Sequence, residues 1–137
     1  MNEHLSRYKV EKYVEQLASQ PIVKSFNPSA VCKKTNLPLK VVLSYLNSLV
    51  DQNKLVLRYE IRCLSGNSVV KKTDNYMEYL GKELYCYYCD DYISVTTGNI
   101  FPIYHFNPEY RKVVNENLTS SLKKKRKLHI SELTGCY

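Results

Sequence analysis

The sequence predicts an α+β fold in which helices come first and strands follow. Apolar residues recur every three or four positions up to Val50, and from Leu55 they alternate with polar ones. A tyrosine-dense apolar stretch then leads to a second helical start at Asn107-Pro108. With 137 residues, 44% of them apolar and 24% charged, the chain can build one ordinary core, or a small domain with an appended subdomain.

The first helix is expected over about residues 3 to 18, where Leu5, Tyr8, Val10, Tyr13, Val14 and Leu17 recur at helical spacing. Pro21 ends it, and Ile22-Val23 offers a short extended piece. Asn27-Pro28 supplies a cap and a first-turn proline, so a short second helix should run from Ser29 to about Lys34. Thr35-Asn36-Leu37-Pro38 makes a tight turn into a third helix. There Leu39, Val42, Leu43, Leu46, Leu49 and Val50 form the inward stripe, and Lys40, Val41, Ser44, Tyr45, Asn47, Ser48 and Asp51 form the outer face. Asn53 suits a left-handed helix end.

Beyond it, Leu55, Leu57, Tyr59, Ile61 and Cys63 alternate with Val56, Arg58, Glu60 and Arg62, as a half-buried strand requires. Ser65-Gly66-Asn67 is turn chemistry, so residues 68 to 73 should return as the partner strand. The segment from Leu84 to Phe106 reads as two or three further strands with a turn at Thr96-Thr97-Gly98-Asn99. The expected organisation is a first domain over 1–74, an acidic Tyr/Cys-rich β extension over 75–106, and a basic helix or tail over 107–137.

Helix, short capped helix, tight turn, helix and hairpin is an order that resembles the winged helix-turn-helix superfamily, over about residues 5–73. The run from Val42 to Val56 is similar to the end of that family's recognition helix leading into its wing. Leu46 and Leu49 face the core, Leu55 begins the wing strand, and Asn53 stands where glycine is usual. The resemblance implies a DNA contact through the outer face of the third helix, at Lys40, Val41, Ser44, Tyr45 and Ser48, with Lys33 and Lys34 before it. It implies wing contacts at Arg58, Arg62, Lys71 and Lys72. Lysine and arginine neutralise phosphates, but the helix face lacks the arginine or glutamine that reads bases bidentately, so strong sequence-specific readout is not expected. Winged helices also serve as protein adaptors.

Charge is uneven along the chain. Residues 1–72 carry twelve Lys/Arg against five Asp/Glu, residues 73–110 one against six, and residues 111–137 seven against two. Basic ends around an acidic middle suggest one surface that meets a polyanion and another that does not. The run Lys123, Lys124, Lys125, Arg126 and Lys127 cannot be buried if helical, and is read as an electrostatic contribution to nucleic-acid binding.

The five cysteines are odd in number and scattered, which argues against a secreted disulfide framework. Cys86 and Cys89 have zinc-knuckle spacing, and His105 follows after fifteen intervening residues, but the fourth ligand is missing. Residues three apart in a regular strand face opposite ways, so Cys86 and Cys89 could chelate only if the chain turns between them. They are therefore read as buried structural cysteines, with zinc on Cys86, Cys89 and His105 as the alternative.

No phosphate loop, nucleophile elbow or metalloprotease helix is present, and the three histidines lie far apart, so no enzyme is expected. No apolar stretch reaches the roughly 18 to 20 residues of a membrane span, and the N-terminus lacks a signal-peptide core, so a cytoplasmic location is expected. The leading expectation is a small DNA-binding transcriptional regulator or a DNA-associated component of a bacterial multi-protein system. The alternative is an adaptor that binds proteins, or a second copy of itself, through the winged helix and the tyrosine-rich segment 84–106.

Overall fold

The computed structural model describes residues 3–117, which form a mixed α+β fold. In order these are α1 (Glu3–Ala18), β1 (Ser25–Phe26), α2 (Pro28–Thr35), α3 (Leu39–Asp51), β2 (Leu55–Cys63), β3 (Ser68–Thr73), β4 (Glu83–Cys86), β5 (Asp91–Ser94) and β6 (Ile100–Phe106). Residues 108–117 are helical and are called α4. The basic run 123–127 lies outside the described residues, as do His129 and Cys136. No helix among the described residues is long and apolar enough to cross a membrane.

The helix ends are set by side chains the sequence marks. Asn27 accepts a 2.9 Å bond from the Ala30 N–H at the start of α2, and Asn36 closes its far end at φ 58°. At the end of α3 the Lys54 N–H reaches the Leu49 carbonyl at 3.0 Å and the Asn53 N–H reaches that of Val50 at 3.0 Å. That double bond around a left-handed residue, Asn53 at φ 61°, is a Schellman closure made with asparagine.

Packing departs from the expected stripes in two places. In α1 the buried residues are Ser6, Val10, Val14 and Ala18, four apart, whereas Leu5 and Tyr8 are exposed. Small side chains on that stripe let α1 lie close against its neighbours. In α3 the buried set is Val42, Tyr45, Leu46 and Leu49, while Leu39 is half exposed because it sits in the first turn, ahead of the core. Together with Phe26, Val31, Leu37, Leu55, Tyr104 and Phe106, these residues make one core between the helices and the sheet.

The main sheet is antiparallel with strand order β1-β6-β2-β3. The expected β2–β3 hairpin forms, with Tyr59 opposite Thr73, Cys63 opposite Ser68 and a bulge at Ile61/Arg62. The last strand was expected to belong to a separate extension. Instead β6 lies in the middle of the sheet, pairing β2 from Leu55↔Phe106 to Ile61↔Ile100 and β1 at Ser25↔His105. A boundary at residue 74 would cut this sheet in two. What stands apart is the short β4–β5 hairpin, a second sheet inserted between β3 and β6. Asn99 anchors the return: its side-chain N–H donates to the Arg62 carbonyl at 2.9 Å, and its oxygen accepts from the Thr96 N–H and hydroxyl.

Candidate functional sites: a cationic helical face and a cysteine cluster

The turn between α2 and α3 brings Lys33, Lys34 and Lys40 to the surface, all exposed. None of the three forms an ion pair within the described residues. Ser44 is exposed on the same helix as Lys40, and Val41 and Ser48 are half-buried. Tyr45 is a correction: only 8% of it is exposed, its hydroxyl donates to the Glu3 carbonyl at 3.4 Å, and the Arg7 guanidinium lies 5.5 Å from its ring centre. Tyr45 is therefore a core residue that ties α3 to α1.

The cationic face also extends where the sequence reading did not place it. A cleft of about 300 Å³ between α1 and α2 is lined by Tyr8, Lys9, Lys12, Tyr13, Gln16, Lys34 and Thr35. Lys9 and Lys12 are exposed, and their spacing of three on the face opposite Val10 and Val14 was the signal available for them. Lys12 is shared with Glu15 at 3.8 Å, an exposed pair that holds little energy.

The hairpin is less free than its composition suggests. Arg58 pairs with Asp74 at 3.1 Å. Arg62 pairs with Glu60 at 2.6 Å and stacks over Phe101 at 4.9 Å. Lys71 lies 5.9 Å from the Tyr79 ring, and Lys72 is opposite Glu60 in the strand register. Only the Arg62–Glu60 pair is sheltered, while Arg58 stays exposed beside Asp74, so Arg58, Lys71 and Lys72 are the exposed cations of this element.

The cysteines gather at the far end of the hairpin. Cys63 ends β2, Cys86 ends β4 and Cys89 lies in the turn before β5, and their three sulfurs lie within 4.8 Å of one another. The chain does turn between Cys86 and Cys89: the Asp90 N–H donates to the Cys86 carbonyl at 2.8 Å and Asp90 has φ 55°. That turn removes the geometric objection to both thiols facing one point. Cys63 Sγ lies 2.9 Å from Cys89 Sγ, and Ser65 Oγ lies 3.1 Å and 3.3 Å from these two sulfurs. Hydrogen bonds from Cys89, from the Ser65 hydroxyl and from the Gly66 N–H bring the Cys63 thiol down to about 6, while the bond to Cys63 raises that of Cys89.

His105, the third ligand in the alternative zinc reading of Cys86 and Cys89, is not part of this group. It pairs Val56 at the opposite end of β2, seven residues and roughly 23 Å of strand from Cys63. Burial lowers its pKa, with Arg58 and Lys72 adding to the effect. Cys63 takes its place in the cluster. No sequence spacing pointed to it, because a strand and a hairpin insertion separate it from Cys86.

Comparison with family models, with curated proteins and with solved structures returned no match for this chain.

Proposed function

We propose that the chain is a non-enzymatic DNA-binding protein of winged-helix type, in which α3 approaches the major groove and the β2–β3 hairpin serves as the wing. The observation that carries this reading is the unpaired cationic surface formed by Lys33, Lys34 and Lys40 at the α2–α3 turn, continued by Lys9 and Lys12 on α1. α2 and α3 contain a single acid, Asp51, at the end away from this surface. Exposed lysines held on rigid helices, with the positive end of the α3 dipole beside Lys40, suit a phosphate backbone. Within residues 3–73 the order is helix, short strand, two helices and a hairpin, and β6, from beyond them, lies between β1 and β2.

Contacts of this kind fix position more than sequence. With Tyr45 in the core, the outer face of α3 offers Lys40, Ser44 and Ser48, and base discrimination is weak. A titration on random duplex DNA at two salt concentrations tests the proposal. Wild type should bind with a steep salt dependence, and Lys33→Glu/Lys34→Glu/Lys40→Glu should lower the slope of log K against log salt by about 1 per contacting lysine. Equal binding by both proteins at both concentrations refutes it.

A second reading, an adaptor, draws on a different feature. Leu64, Met77, Tyr87, Tyr88 and Tyr92 are all exposed around the β4–β5 hairpin, a density of apolar and aromatic surface suited to a protein partner. Stoichiometric co-purification lost in Tyr87→Ser/Tyr88→Ser, without DNA retention by wild type, would favour it.

A further inference from the structure

We propose that Cys63, Cys86 and Cys89 are the thiolate ligands of a zinc ion at the tip of the β2–β3 hairpin, its fourth corner filled by an oxygen, either the Ser65 hydroxyl or a water. Three soft donors from two separate turns converge within 4.8 Å. A tetrahedron with Zn–S bonds of about 2.3 Å has sulfur edges of about 3.8 Å, between the 2.9 Å of Cys63–Cys89 and the 4.8 Å limit of the group, so shifts of about 1 Å in the side chains complete it. No other group of three or more His, Cys, Asp or Glu among the described residues converges in this way.

The two turns are built alike. Cys86-Tyr87-Tyr88-Cys89 is followed by left-handed Asp90, and Cys63-Leu64-Ser65-Gly66 is followed by left-handed Asn67 at φ 52°. In each, the chain reverses and leaves a sulfur facing inward. The second turn carries Gly66 where the first carries Cys89. A Cβ placed on Gly66 would stand 3.5 Å from Cys89 Sγ, so the position aims at the cluster but supplies no donor. Ser65 Oγ, within 3.3 Å of two sulfurs, is the polar atom that reaches the gap.

An ion here also answers a problem of stability. Of the eight residues in β4 and β5, only Cys86 is buried, and an isolated two-stranded hairpin with so little core does not hold in water. A metal bound to Cys86 and Cys89 from one side and Cys63 from the other would fasten the insertion to the main sheet.

The test uses the full chain purified under reducing conditions without chelator. Elemental analysis should find about one zinc per chain, and Cys63→Ser and Cys86→Ser should each lose most of it. Because these variants could simply loosen the hairpin, cobalt(II) is exchanged into the wild type and into Gly66→Cys. The thiolate-to-cobalt band should be present in the wild type and stronger by about a third in Gly66→Cys, which should also resist a chelator longer. Absence of zinc together with no cobalt band overturns the proposal, as does full metal retention by Cys63→Ser. A Cys63–Cys89 disulfide found by mass spectrometry in the native protein overturns it too. A wild-type band already at four-thiolate strength and unchanged in Gly66→Cys removes the oxygen corner, and with it the site as described.

Discussion

Tyr45 shows how a single hydroxyl can mislead a reading of helix faces. On the helix it stands at the edge of the apolar stripe, three residues after Val42 and four before Leu49, and its ring is buried there with its hydroxyl at the Glu3 carbonyl. Tyr45→Ala should therefore reduce stability, by about 3 kcal/mol as for other buried aromatics, and shift the urea midpoint. Under conditions where the variant stays folded, its DNA affinity should match wild type. The same ambiguity hides at Tyr104 and Tyr110, where burial pushes both phenols up to about 12, with Glu15 and Glu11 adding to the effect at Tyr110. A buried phenol holds its proton to higher pH than an unfolded one, which titrates near 10. The unfolded state thus binds fewer protons in that window, so stability should be level below about pH 10 and fall between about pH 10 and 12. Equilibrium unfolding across this range checks it, and Tyr104→Phe should flatten part of the fall. Capping residues were far more legible: Asn27 and Asn53 each carry out the role their chemistry announces, because a cap is a local event, and Asn36, expected only in a tight turn, closes α2 as well.

Among the elements, α1 and α4 are joined by one side chain. α1 has no basic residue in its last turn to meet its own free carbonyls. Arg111 supplies that charge from α4, donating from Nε to the Ala18 carbonyl at 3.0 Å and from Nη2 to those of Gln20, at 2.8 Å, and Val23. Its guanidinium also lies 4.6 Å from the Phe106 ring centre. Arg111→Ala should cost about 2 kcal/mol in urea unfolding. Arg111→Lys should recover only part of this, since one ammonium cannot spread over three carbonyls as a planar fork does. Nothing near Arg111 in sequence hints at this role. The existence of α1, α2, α3, β2 and β3 was readable because each has a strong period or a marked terminus. The partner of β6 was not, because periodicity says which face is buried and not which strand lies alongside.

At the level of the whole molecule, the main sheet draws strands from both sides of the expected division at residue 74. A fragment of residues 1–74 lacks β6, and with it Tyr104, Phe106 and the Asn47–Tyr104 bond of 2.8 Å that links α3 to the sheet. It should show no cooperative thermal transition by circular dichroism, whereas residues 1–117 should show one. A cooperative transition in the shorter fragment would mean that β6 is dispensable. Charge at this scale behaves as the sequence suggested only in part. The N-terminal excess does reach the surface at Lys9, Lys33, Lys34 and Lys40, but in the β2–β3 hairpin Arg62 is paired with Glu60 in a sheltered contact and Arg58 lies beside Asp74. Net charge counts residues, and only geometry tells which of them are already spoken for.

The central position of β6 also bears on how the chain is made. During synthesis, α1 to β3 leave the ribosome well before Ile100 to Phe106 emerge, so the nascent chain carries β2 with one open edge and an unfilled apolar face. Until that final strand slots in between β1 and β2, the growing polypeptide is exposed to aggregation and to chaperone capture. Every residue added to the insertion between β3 and β6 would lengthen that wait.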